Sequence, residues 1–438
     1  MQQGGDVFLS LLSILTHCFE GLPDPRTGKN SRYSMRDIAL SAFSVFFTQS
    51  PSFLSHQRSM QQQKGSNNGR SLFGIEKIPT DAQIRNLLDG ISYRYLDQAF
   101  MGAMGLLQER KDLDSYRVMD TQLLVCMDGT EFFTSNALSC PQCSSRTRSD
   151  GTVNHYHSAL TPAIVQPGNS RVIPLPPELI SPQDGHEKQD CENAAAKRWI
   201  ERWGSMCKTL TVTILGDDLY SKLPLCRLMF NATLNFILVC KPSSHPWLAD
   251  WIKNCDATKD LHEKRTVVWD GRRHRTHITR WINGVPLTSD PDTLQLNWAE
   301  LIILDEKGKQ TYHNSWVTTH LLSEANLEAI LRAGRCRWKI ENENNNTLKT
   351  KGYHLEHNFG HGQKELSNFL LTLNIVAFLF HTVLDLYDAR YRLVRRTLVR
   401  RDTFFNDIRA LTRYICFDSW QQMLQFMLRG LELEDPGG

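Results

Sequence analysis

Long apolar runs are scarce in this 438-residue sequence, and so is net charge. The longest apolar stretch, Phe369 to Leu384, is broken by Thr372, Asn374, His381 and Thr382. It falls short of a clear bilayer crossing, so a buried helix is expected and no membrane partner. Leu9 to Leu15 is apolar, but no basic segment precedes it, and no export signal is expected. The 11 cysteines are scattered and odd in number. Without export they predict reduced thiols in a cytoplasmic compartment, which excludes a disulfide framework. Lys and Arg (50) nearly balance Asp and Glu (47), leaving +3. That balance does not imply nucleic-acid binding; the distribution matters more, and the C-terminal part is the more basic. No internal repeat is present.

The length allows two or three domains. Residues 1–115 read as helical: Met35 to Thr48 is a periodic apolar run, and Thr80 with Gln83 fits a capping box. Ser59 to Arg70 is polar and reads as a loop. Residues 116–255 read as a mixed sheet, with strands at Gln122 to Met127, His157 to Val165, Leu210 to Leu215 and Leu234 to Cys240. A helix at Asp190 to Trp203 leads into the third of these. Residues 256–320 alternate apolar and polar side chains around Gly turns, with a hairpin at Lys307–Gly308. From residue 321 to 385, and again from 386 to 438, the pattern is helical, the second stretch being basic. The expected fold class is α/β: a ribonuclease-H-like core, an antiparallel β insertion, and all-helical regions at both ends.

Two apolar strands end in Asp. LLVCMD ends at Asp128 and VTILGD at Asp217. A carboxylate at a strand's C-terminal end faces a crevice open to ligands. Asp218 is adjacent to Asp217, but alternating side-chain directions let only one of them face the site. Asp217 is favoured, with Asp218 capping the turn that follows. Two such acids repel each other, and Mg²⁺ or Mn²⁺ offsets that repulsion through hard oxygen ligands. A third acid on a helix completes a two-ion clamp of the kind that drives in-line phosphodiester chemistry. The segment GRCRWKIENENNNTLKT supplies Glu341 and Glu343 among Arg335, Arg337, Lys339, Lys349 and Lys351. A lone Asp at a strand end is more often a turn-former; the combination is what argues for chemistry.

MDGTEFF, ILGDDLYSKLPLCRLM, the β block and RWKIENENNNTLK followed by GYHLEHNFGHG stand in one order over residues 120 to 380. In that order the chain resembles DDE transposases of bacterial insertion sequences, in the group that carries a β insertion between the second Asp and the Glu. The resemblance implies a catalytic and metal-binding triad of Asp128, Asp217 and Glu341, with Glu343 as the alternative. It implies Mg²⁺ (or Mn²⁺) and strand cleavage and transfer at element ends. The partner would be double-stranded DNA, both termini and target, held by a homodimer on paired ends in a nucleoid-associated setting. Two departures stand out. The family signature is Tyr, two residues, Arg, three residues, Glu, six residues, Lys. Here Gly334 occupies the Tyr position and Leu348 the Lys position, with Lys349 one residue later. The alternatives are a DNA-binding protein that has lost catalysis and a metal-dependent nuclease of the same fold.

Cys140–Pro–Gln–Cys143 has metal-ligand spacing, with His155, His157 and Cys191 downstream. Cys140, Cys143, His157 and Cys191 are candidate ligands for a structural Zn²⁺; unpaired thiols or a redox pair are the alternatives. DNA-contact candidates are Arg272, Arg273 and Arg275 in the β block, Arg337 and Lys349 around the Glu segment, and Arg395 and Arg396 near the C-terminus. A solvated surface is the plain reading of each.

Overall fold

The computed structural model describes residues 6–28, 31–182 and 188–437, and of 188–191 the backbone alone. The chain is a mixed α/β protein built on one large sheet. Its strands are β1 (Leu123–Cys126), β2 (Gly129–Ser135), β3 (Ser144–Thr147), β4 (Val153–Leu160), β5 (Ala163–Gln166), β6 (Asn169–Pro174), β7 (Glu178–Ile180), β8 (Val212–Gly216), β9 (Asn235–Val239), β10 (His262–Trp269), β11 (His274–Pro286), β12 (Gln295–Leu304) and β13 (Gln310–Thr318). Nine of them form one sheet in the order β10-β11-β12-β13-β9-β8-β1-β5-β6. β1 runs parallel to β8, and β8 to β9, while β5 and β6 are antiparallel to their neighbours. β2, β3, β4 and β7 form a second, small sheet centred on β4.

The three parallel strands read LLVC, VTILG and NFILV, and nearly every residue in them is buried. A strand covered on both faces needs such a continuous apolar run. The helix Lys188–Thr209 packs against β8 with Ala195, Ala196, Trp199, Ile200 and Trp203 on its buried side. The helix Leu366–Tyr387 packs against β6 and the helix Met35–Phe47. By length and composition this helix passes for a membrane span, but 89 % of its most apolar window is buried inside the protein. Its polar groups find partners there. Asn374 donates to the Tyr353 carbonyl at 2.8 Å, and His381 lies 2.9 Å from both the Phe47 carbonyl and the Tyr391 hydroxyl.

The structure alters two expectations. The run His157 to Val165 is two strands, β4 and β5, because Thr161 and Pro162 turn the chain from the small sheet into the large one. Residues 59–70 are helical apart from a break at Gln62, forming the end of Phe53–Gln61 and the greater part of Gln63–Phe73. Tertiary contacts override their weak propensity. The Asn68 side chain donates to the Thr412 and Ile415 carbonyls, both at 2.8 Å, and accepts from the Phe417 amide at 2.9 Å. β13 also pairs with β9 through Trp316–Val239, so that β10 to β13 extend the large sheet.

Candidate active site

Asp128 follows β1 directly and precedes β2. Its backbone carbonyl accepts from the Thr161 amide at 3.0 Å. Its carboxylate accepts from the Asn345 amide nitrogen at 3.1 Å. The Asn345 side-chain oxygen in turn accepts from the Thr161 hydroxyl at 2.8 Å and from Asn344 at 3.0 Å. A hydrogen-bonded chain therefore joins the end of β1, the start of β5 and the Glu-bearing segment. Asp217 follows β8, the parallel neighbour of β1, and its carboxylate accepts from the Leu219 amide at 2.8 Å. Asp218 turns away, accepting from the Lys241 amide at 2.6 Å and from the Ser244 hydroxyl. So Asp217 itself forms the turn expected of Asp218, and Asp218 ties β8 to the loop after β9.

Glu341 lies in a π-helical segment, Ile340–Asn345, between the helices Leu327–Arg335 and Asn346–Thr350. π-turns recur at functional sites. This one carries both Glu341 and Asn345. Arg337 donates to Glu341 at 2.7 Å. Burial opposes the Arg337 charge, but the hydrogen bond and field of Glu341 hold its guanidinium above the usual range.

The acids meet electrostatically at Asp128. Burial first, then the fields of Glu192, Glu341 and Asp217, push its carboxyl from 3.8 up to about 7, against the pull of Arg337. By sequence Glu192, near the start of its helix with Asp190, is either a support for the site or a routine helix-start acid. Yet it falls at helical spacing with Ala195, Ala196 and Trp199, on the face that packs inward, and only 4 % of it is exposed. That periodicity was the available signal. Glu192 lies against Gly129: a Cβ there would come 2.6 Å from the Glu192 carboxyl carbon. Tyr220 completes the surroundings. Burial, then Glu192, Asp128 and Asp217, drive its phenol well above its ordinary range, and its hydroxyl has no hydrogen-bond partner among the described residues.

Glu343, the alternative to Glu341, goes elsewhere. It lines a cavity of about 320 Å³ with Arg171, Arg395, Arg396 and Arg401. Of the other cation candidates, Arg272 and Arg273 are exposed at the β10–β11 turn, where the Asp270 carboxylate accepts from their amides at 2.9 and 3.0 Å. Arg275 is tied to Asp270 at 2.5 Å. Lys349 pairs with Glu356 at 3.0 Å, and Arg395 reaches the Arg400 carbonyl at 3.3 Å.

The donors around Asp128 are hard carboxylate oxygens. With one carboxyl destabilised by burial and then by its acidic neighbours, and a phenol beside them without a partner among the described residues, they suit Mg²⁺ or Mn²⁺. Among the described residues, however, only Cys140, Cys143, His157 and His361 bring three or more ligand atoms within 4.8 Å of one another. The carboxylates are spread more widely. The expected fourth zinc ligand, Cys191, has its side chain outside the described residues; in this cluster His361 fills the place beside the two cysteines and His157. By sequence Arg26, Lys29, Arg32 and Arg36 are either phosphate contacts or plain solvated surface, and of these Lys29 also lies outside the described residues.

No known protein family matches the sequence, and no curated protein does. Among solved structures, the chain is similar to the piggyBac transposase synaptic complex with hairpin DNA, at 10 % identity and a TM-score of 0.39, over 99 % of this chain and 83 % of that one.

Proposed function

We propose that the chain is a DDE-type DNA transposase that cleaves and joins strands at the ends of an insertion sequence. The observation that carries this reading is that Asp128 and Asp217 follow the adjacent parallel strands β1 and β8, with Asn345 of the Glu341 segment donating to the Asp128 carboxylate at 3.1 Å. The strand order β6-β5-β1-β8-β9, with the first two steps antiparallel and the last two parallel, supports a ribonuclease-H-like core. The four antiparallel strands between Asp217 and Glu341 support reading 256–320 as its insertion.

In this reading Asp128, Asp217 and Glu341 hold Mg²⁺ or Mn²⁺. Bound there, the ions supply Lewis-acid activation of the attacking oxygen and stabilisation of the departing one. The chain's own groups do the rest. Asn345 orients the Asp128 carboxylate. Arg337 holds Glu341 and sets a cation beside the acids, where a phosphodiester would otherwise be repelled. Glu192 adds its negative field at Asp128 to those of Glu341 and Asp217, which a divalent cation would offset. Double-stranded DNA at termini and target is the partner, engaged by a homodimer on paired ends, in the cytoplasm at the nucleoid. The exposed Arg272 and Arg273 are offered as backbone contacts.

The test is a gel assay on terminus-bearing duplex with Mg²⁺. Wild type should give cut and joined products. Asp128→Asn, Asp217→Asn and Glu341→Gln should bind the duplex and give neither, whereas Glu343→Gln should keep cutting. Cuts without joining would make the chain a nuclease. A gel shift with no product from wild type would make it a binding protein.

A further inference from the structure

A second site stands apart from the carboxylates and has the chemistry of a structural metal centre. Cys140 and Cys143 flank a tight turn between β2 and β3, closed by the Cys143 amide donating to the Cys140 carbonyl at 3.0 Å. His157 projects from β4, and His361 comes from the loop that precedes the helix Leu366–Tyr387. The Cys140 and Cys143 sulfurs are 3.8 Å apart. His157 Nε2 lies 3.5 Å from the first and 3.4 Å from the second. His361 Nε2 lies 3.3 Å from Cys143 Sγ and 3.2 Å from His157 Nε2.

Tetrahedral geometry gives these distances a meaning. With zinc–sulfur bonds of about 2.3 Å and zinc–nitrogen bonds of about 2.0–2.1 Å, ligand atoms sit about 3.8 Å apart for two sulfurs, about 3.5 Å for sulfur and nitrogen and about 3.3 Å for two nitrogens. The five separations fall in that order and near those values.

The surroundings prepare the ligands as well. The Gly362 carbonyl accepts from His361 Nδ1 at 3.0 Å, which puts the proton on Nδ1 and leaves the Nε2 lone pair facing the cluster. The following turn is pinned by Asp89, whose carboxylate accepts from the amides of Gln363, Lys364 and Leu366 at 3.0–3.2 Å. Gly362 has φ +68°, and a Cβ there would fall 2.2 Å from the Asp89 carboxylate, so the turn requires glycine. Gln142, inside the Cys140–Cys143 turn, donates to Glu365 at 2.8 Å. His157 and His361 are 3 % and 8 % exposed, with Phe133 packed on His361.

We infer that Cys140, Cys143, His157 and His361 bind one structural Zn²⁺ that clamps the small sheet to the loop after the Glu-bearing segment. Four protein ligands leave no open position, as in structural rather than catalytic zinc sites. Two thiolates and two imidazoles select zinc over Mg²⁺. The clamp spans the chain. β2 leaves directly from Asp128 and pairs with the His157 strand, while the loop bearing His361 follows Glu341 and Asn345. This site is independent of the proposed reaction and stands if that reading fails.

The test is metal analysis of the full chain purified from zinc-supplied cells without chelator. One zinc per chain is expected, and the Co²⁺-exchanged protein should show tetrahedral ligand-field and thiolate charge-transfer absorption. Cys143→Ser and His361→Ala should lose the metal; Cys191→Ser should keep it. Chelation should speed hydrogen exchange in segments 140–147 and 353–366 of the wild type. If the ligand variants fail to fold, wild-type zinc content and the Co²⁺ spectrum decide alone. Trace zinc only, a Cys140–Cys143 disulfide in reducing buffer, loss of zinc in Cys191→Ser, or hydrogen exchange unchanged by chelation would each overturn the inference.

Discussion

Replacing Asp128 by Asn should stabilise the Mg²⁺-free protein while abolishing the proposed strand cleavage. The carboxyl rises from 3.8 to about 7 on folding. Between those limits the folded chain holds a proton that the unfolded chain has lost, so this group's contribution to stability falls as pH rises and is at its worst above pH 7. A shift of about three units corresponds to about 4 kcal/mol at most. Asp128 keeps a partly solvent-open edge, and screening brings the expected gain to about 1–3 kcal/mol. The introduced amide oxygen can still accept from Asn345, so the hydrogen bond at 3.1 Å has a replacement. The measurement is urea unfolding of wild type and Asp128→Asn from about pH 5 to about pH 8, taking the difference at each pH. His56 and His381, both lowered to about 3 by burial first of all, destabilise the fold as pH drops through the usual histidine range. They act in both proteins and cancel in the difference. The variant's advantage should grow from about pH 5 to about pH 8, and added Mg²⁺ should stabilise wild type alone. A difference that is flat in pH, or a variant that is less stable at about pH 8, would refute the electrostatic account of the site.

Three further outcomes follow from single contacts. Gly129→Ala places a methyl group 2.6 Å from the Glu192 carboxyl carbon; we expect a loss of about 1–3 kcal/mol in urea unfolding, most of it recovered in the double variant with Glu192→Ala. Leu348→Lys, which places the signature's lysine at a fully buried position, should destabilise the fold by several kcal/mol, roughly the cost of burying an unpaired charge, whereas Lys349→Ala should cost about 1 kcal/mol or less; thermal melts read both. Arg272→Ala with Arg273→Ala should weaken duplex binding equally for terminus and random DNA and lower the log–log salt slope by about 2, measured by fluorescence anisotropy.

Much of the scaffold was legible because burial on both faces leaves a strong mark. β1, β8 and β9 are continuous apolar runs, and the acids that end two of them stand out against that background. The Thr80–Gln83 capping box and the turn at Lys307–Gly308 are local devices, and both occur in the structure. What escaped the sequence depends on partners distant in the chain. The helix Gln63–Phe73 is polar and rich in Gly and Asn, and its stability comes from residues near 412–417. His361 belongs with Cys140 and Cys143 only through a fold that brings together positions more than two hundred residues apart. Its neighbours His354 and His357 offered the same residue type with no means of choosing among them.

The two departures from the signature have physical causes in the π-segment and the strand beneath it. At position 334 a Cβ would already meet the Trp316 ring at 2.8 Å and Ile237 at 3.1 Å, so no tyrosine fits on this backbone. At position 348 the side chain is wholly buried, a place for leucine and not for a lysine. A π-turn closes over five residues where an α-turn closes over four, so one extra residue is absorbed between Ile340 and Asn345. The eight positions from Glu341 to Lys349 then cover the rotation that seven cover in an uninterrupted α-helix. The late lysine is therefore the expected consequence of the π-turn. The same turn puts Asn345 on Asp128 and leaves Glu343 among the arginines of the neighbouring cavity. Spacing rules assume α-helical geometry, and an inserted residue shifts every position that follows it by about one helical step.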